Sequence, residues 1–246
     1  MKFTYAALAA GLASLASAQS LAIPARVGAV NTINKPIEID GPRDFGNAEY
    51  TRGMKCVPNP KDTGSNNAVF VLKPGAAISN VIIGADSWEG IHCLGSCTIT
   101  NVWFRDVCED AISALGPGKV TINGGGAQDA QDKIIQANGK GLTVEVNRFT
   151  ALRSGKLIRS CGDCTGNGGP RNFILNNVRA YGMTSALVGI NSNYGDSATI
   201  TNTCGSGKKV CQDYLGVEKG KGKSDEVATT HKCLGPQGKL TSIPAC

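Results

Sequence analysis

The chain is predicted to be all-β, wound as a right-handed single-stranded parallel β-helix and bonded by disulfides. Three observations predict it. Short β-rich runs recur with apolar centres at Ile99, Ile122, Val146, Leu175 and Ile200, stepping by 23, 24, 29 and 25 residues. No amphipathic helical pattern of useful length intervenes. The runs are punctuated by glycine and asparagine, which turn corners. A period above twenty with one inward apolar residue each time is what stacked coils require. A β-sandwich, the main competitor, repeats about every 8–12 residues.

Taken in order, the chain opens on Met1-Lys2-Phe3-Thr4, an apolar run from Tyr5 to about Leu15, and Ala16-Ser17-Ala18. A basic start, an apolar stretch too short to span a bilayer and a small-residue cleavage site make residues 1–18 a secretory signal. Residues 19–246 are then expected to be one secreted, extracellular β-helix domain without a membrane span. Gln19 to about Thr51 reads as a mature N-terminus or short propeptide leading into the first coil. Strands follow at 80–83, 98–104, 120–123, 142–147, 172–178 and 198–202. Strands separated by turns without helices exclude a doubly wound α/β sheet. Gly124-Gly-Gly126 and Gly166-Asn-Gly-Gly169 suit corners, and Asn101, Asn123, Asn147 and Asn176 are placed to stack as a side-chain ladder inside a bend. From Cys204 onward the composition changes to lysines among glycines, so 204–246 reads as an irregular, disulfide-tied extension packed across the helix.

Without residues 1–18 the chain keeps 24 basic and 19 acidic residues, a net charge of +5. That mild excess suits an acidic polymer. Nucleic acid is disfavoured by export, by few aromatic residues for base stacking and by the lack of a nucleic-acid-binding signature. Ten cysteines in an exported chain imply up to five bridges of open connectivity. Cys161-Gly-Asp-Cys164 reads as structural, because neither a thioredoxin-like pattern nor matching zinc ligands accompany it.

Against this period, Glu89, Glu109, Lys133 and Lys156 lie 20, 24 and 23 residues apart, with Asp110 beside Glu109 and Arg159 three past Lys156. Coils of that length put them on one wall, since neighbouring strands are about 4.8 Å apart. Clustered carboxylates repel unless neutralised, and outside the cell Ca²⁺ is the natural hard cation for Glu89, Glu109 and Asp110. Asp106 and Asp132 are lower-ranked acceptors. An amine near a metal and other cations should have a lowered pKa, which a general base needs. His92, in a strand-like run, is expected to be packed, and Trp88 and Trp103 are as suited to packing as to carrying sugar.

The motifs Glu89-Gly-Ile-His-Cys93, Asn101-Val-Trp-Phe-Arg-Asp-Val-Cys-Glu-Asp-Ala111, Asn123-Gly-Gly-Gly-Ala127, Asp132-Lys133, Ser154-Gly-Lys-Leu-Ile-Arg-Ser-Cys-Gly162 and Gly189-Ile-Asn-Ser-Asn-Tyr-Gly-Asp196 resemble the fungal pectate lyases of polysaccharide lyase family 3. The match runs in order from about residue 65 to 215. The resemblance implies a secreted, disulfide-bonded, calcium-dependent parallel β-helix. It maps calcium ligands onto Glu89, Glu109 and Asp110 and essential bases onto Lys133, Lys156 and Arg159. The chain departs from the family at Leu115, where lysine is frequent, at Ala137, where histidine is frequent, and at Lys73, where an acidic residue is frequent.

The implied reaction is β-elimination on de-esterified α-1,4-galacturonan, leaving 4,5-unsaturated products. Lys133 is the favoured base with Lys156 next, and Arg159 clamps a carboxylate. A monomer acting on pectate in the plant cell wall is expected. A galacturonan hydrolase is the first alternative, but it needs two carboxyls flanking the bond and no metal. A non-catalytic pectin-binding protein is the second, suggested by Leu115 and Ala137.

Overall fold

The computed structural model describes residues 19–58 and 63–246; the expected signal, residues 1–18, lies outside the described residues. Among the described residues the chain forms twenty strands and two single-turn 3₁₀ segments, with no α-helix. Its ladders are parallel except for the short pairing of Asp213–Tyr214 with Glu226–Val227. This is the coiled architecture the period calls for.

One wall comprises Ala68–Leu72, Glu89–Cys93, Asp110–Ala114, Lys133–Ala137, Lys156–Ser160 and the end of Arg179–Asn191. Its inward stack runs Phe70, Ile91, Ile112, Ile135, Ile158 and Val188 in register, all fully buried. A second wall stacks Ile78, Ile99, Ile122, Val146, Leu175 and Ile200. The five apolar centres read from the sequence therefore form one column. A narrower third wall stacks Phe104, Ala127, Ala151 and Ala180. Burying an aliphatic or phenyl side chain contributes about 1.5–3 kcal/mol, and repeating it each coil makes one continuous core.

The corners follow the asparagines in part. Asn123, Asn147 and Asn176 are in register, and Asn147 Nδ2 donates to Asn123 Oδ1 at 3.2 Å. Asn101 falls one residue later, at φ 51°, and donates instead to Asn80, at φ 50°. Asparagine tolerates this left-handed backbone better than most residues.

The bridges are Cys56–Cys108, Cys93–Cys97, Cys161–Cys164, Cys204–Cys246 and Cys211–Cys233. Two expected boundaries move. Residues expected as a lead-in already form coil: Ile37–Ile39 and Pro42–Thr51 pair with Ala68–Leu72 and Ala77–Ile83. Cys204–Tyr214 is likewise a strand pairing in parallel with Arg179–Asn191, so irregular chain starts at Leu215. The lysine-rich composition there hid a strand that buries Val210 while Lys208 is exposed and Lys209 half-buried.

Candidate functional site

The first wall sets the site. Glu89 pairs with Asp110 and Lys133 with Lys156. Because Ile112 pairs with Ile135, the same register continues Asp110 onto Lys133. Four charged residues thus begin four successive strands. The spacing argument had set Glu109 over Glu89; the register sets Asp110 there. Glu109 precedes the strand by one residue, and its N–H donates to the Trp88 carbonyl at 3.0 Å. Its Oε1 is still 4.0 Å from Lys133 Nζ, so both share one face.

Lys133 Nζ also lies 3.1 Å from Asp110 Oδ1 and 3.2 Å from Asp132 Oδ2. Lys156 Nζ lies 3.5 Å from the other Asp132 oxygen. Burial by itself would push the Lys133 ammonium down, but Asp110, Asp132 and Glu109 overcome burial and hold it above the usual lysine range. The sequence argument expects a lowered value for an amine beside a metal and other cations; the protein's own groups around Lys133 Nζ are carboxylates. Asp110 shows the reverse competition. Desolvation, aided by Glu109, raises its carboxyl well above the usual range although Lys133 pulls it down. Asp132, despite burial that raises it, is lowered by the two lysines.

Glu89 is buried, and both its oxygens are engaged. Oε1 accepts from the Thr63 N–H at 3.0 Å and the Thr63 hydroxyl at 3.3 Å, while Oε2 is 3.3 Å from His92 Nε2. His92 Nδ1 contacts the Ser65 hydroxyl at 2.9 Å. The histidine is packed, as expected. Asp106 is raised by burial and then by Asp129. Trp88 donates its indole N–H to the Lys55 carbonyl. Lys73 pairs with Glu38 and Asp40 in the first coil.

Among the described residues no three His, Cys, Asp or Glu side chains form a ready-made metal cage. The donors nevertheless fit a hard cation. Asp110 Oδ1 is buried and, though near Lys133, accepts no well-aligned hydrogen bond. Three carboxylates converge on a single ammonium there. Glu109 and Asp110 are the members with oxygens facing that space, and Glu89 stacks one coil below, held by Thr63 and His92.

Arg159 lies on the same strand as Lys156 but on its outward face, in register with Gln136 and Gly189. Its guanidinium carbon is 3.9 Å from the centroid of the Tyr214 ring, and Nη2 donates to Ser224 Oγ at 3.0 Å. The Tyr214 hydroxyl donates to Glu226 Oε1 at 3.1 Å. Sequence reasoning named none of Gly189, Tyr214, Ser224 or Glu226 as site residues. Of these only Gly189 carried a signal, as the first residue of a family-like motif. Of the departures, Ala137 is fully buried between Ala114 and Ser160, and the Ser160 hydroxyl beside it is buried without a partner.

Comparison with known proteins places the chain in a family and matches its fold. The family described as Pectate lyase matches residues 20–221. A probable pectate lyase E of Aspergillus fumigatus is 47% identical over 204 residues, covering 82% of this chain and 78% of that protein. The catalytic domain of pectate lyase PelI from Erwinia chrysanthemi superposes with a TM-score of 0.72 at 33% identity, covering 85% of this chain and 98% of that one. PelI in complex with tetragalacturonic acid gives 0.69 at 36% identity, over 82% and 67% of the two chains.

Proposed function

The chain belongs to the pectate lyase family and is a lyase, and from that premise we propose a calcium-dependent enzyme that cleaves de-esterified α-1,4-galacturonan by β-elimination. The observation that carries the proposal is the column at the start of four strands, with a buried amine 3.1 Å from a buried carboxylate oxygen that lacks an aligned hydrogen bond. Glu109 and Asp110, with Glu89 behind them, would hold the cation. A bound Ca²⁺ would supply charge neutralisation and electron withdrawal through the substrate's own carboxylate.

The chain's residues do the rest. Lys133 Nζ takes the C5 proton, the C5–H electron pair becomes the C4–C5 double bond, and the C4–O4 bond breaks with its pair on oxygen. That oxygen then takes a proton, so each cut leaves one 4,5-unsaturated end. The amine is kept charged by the very carboxylates a cation would neutralise, while burial always favours its neutral form. Proton acceptance at Lys133 is thereby linked to cation loading, which favours it over Lys156. Lys156, one coil on and paired among the described residues with Asp132 alone, steadies the developing negative charge. Arg159 offers a planar fork to a uronate carboxylate.

The enzyme is proposed to act as a secreted monomer on pectate in the plant cell wall. The five disulfides support export, and among the described residues no helix is long and apolar enough to cross a membrane. The test is polygalacturonate with calcium at alkaline pH. An ultraviolet-absorbing unsaturated product that disappears with chelator is expected. New reducing ends without that absorbance would replace elimination by hydrolysis, and binding without any product would leave a pectin-binding protein.

A further inference from the structure

We propose that Tyr214, fixed by Glu226, is the positioning residue for Arg159, so that the C-terminal segment completes the site begun by the coils. This rests on the role given to Arg159 above. The ring lies face-on to the guanidinium at 3.9 Å, the arrangement in which an aromatic quadrupole attracts a cation. Tyr214 is nearly buried, at 5% exposure, so the platform is dry. Its hydroxyl donates to Glu226 Oε1, and Tyr214 and Glu226 face each other across the antiparallel pairing. The residue is therefore tied at both ends, its backbone by the strand pairing and its hydroxyl by Glu226.

Two glycines open the space. A Cβ on Gly189 would lie 3.0 Å from Tyr214 Cε2 and 3.1 Å from Arg159 Cγ. A Cβ on Gly162 would lie 2.9 Å from Arg159 Nη1 and 2.8 Å from Ser224 Cβ. Neither glycine has a left-handed backbone, so it is the passage of Arg159 that demands the missing side chains. Ser224 holds one end of the fork, and Nε is buried without a hydrogen-bond partner. Among the described residues no carboxylate lies within salt-bridge range of Arg159, in contrast to both lysines. A ring and a hydroxyl thus aim the cation without neutralising it, which keeps its charge for an anionic sugar.

The experiment compares Tyr214→Phe, Tyr214→Leu and Gly189→Ala on polygalacturonate, with thermal unfolding measured alongside. Phenylalanine keeps the face and should retain kcat/KM within about threefold, whereas leucine should lose about tenfold. The loss should appear in Kd for unreacted oligogalacturonate, and should vanish when Tyr214→Leu is made in an Arg159→Ala background. Gly189→Ala should resemble the leucine variant. Equal activity of the leucine and phenylalanine variants, or a leucine loss that persists without Arg159, would overturn the inference. If leucine at 214 does not fold, Tyr214→Met and Ser224→Ala are judged by the same criteria. Full activity of Arg159→Ala would instead remove the reading of Arg159 itself, and this inference with it.

Discussion

The two lysines and the arginine of this site are held by different means. Lys133 and Lys156 start adjacent strands of the regular wall, and their partners Asp110 and Asp132 come from the same repeat. Arg159 leaves the same strand on its other face and finds its partners at Tyr214, where the last coil's strand ends, and at Ser224 and Glu226 in the segment beyond it. The first arrangement is electrostatic and is copied from coil to coil. The second is aromatic and polar, and each partner occurs once. A repeat can stack like on like, but the cation furthest along the strand needs a partner from outside the repeat.

Removing the coil half should have the largest effect. Lys133→Ala is expected to lower kcat by about 10²–10⁴-fold, the range of general-base catalysis, with much less change in KM because Arg159 and its platform remain. A variant that keeps full kcat would move the base to Lys156.

The junction between the two halves comes next. Arg171 and Asp196 form a wholly buried ion pair at 3.5 Å. Arg171 also bonds Asn167, whose amide reaches the Cys161, Gly162 and Val217 carbonyls. Asp196→Ala strands a buried guanidinium, so a loss of about 3–5 kcal/mol in denaturant unfolding is expected. A loss under 1 kcal/mol would mean that the extension is anchored elsewhere.

Opening the extension alone sharpens the contrast. The Cys211–Cys233 bridge closes a separation of 22 residues, and replacing both cysteines by serine should cost about 3 kcal/mol by the loop-closure estimate. Oligogalacturonate affinity should weaken in this variant while the calcium-induced rise in melting temperature stays. If that rise is lost as well, the two halves are not separable.

The smallest effect concerns pH. Asp110 has a folded pKa above its ordinary value of 3.8, because it is buried. Its contribution to stability is therefore complete below that ordinary value and is lost as pH rises through the folded one. Chelated protein should melt lower as pH climbs from about 4 towards neutrality, and Asp110→Asn should flatten that slope. An unchanged slope would show that Asp110 is not the group responsible.

Much of this was legible in the chain. Ile99, Ile122, Val146, Leu175 and Ile200 recur because each coil must bury one residue at the same place, and that need writes itself into the spacing. Lys133 and Lys156 were legible for the same reason. Spacing alone could not decide whether Glu109 or Asp110 stacks on Glu89, since a shift of one residue turns a side chain to the other face. Nor could it show that carboxylates surround Lys133 Nζ and hold its ammonium above the usual range, because a pKa depends on which charges converge in space.

The sequence by itself determined the coil, its core column and the wall that carries the lysines, because a periodic structure is encoded by local, repeated residues. Only the tertiary structure decided the cysteine pairs, the end of the regular coil and the seat of Arg159. Those depend on contacts such as Arg159 with Ser224, 65 residues apart, brought together by an aperiodic segment whose path no repeat records.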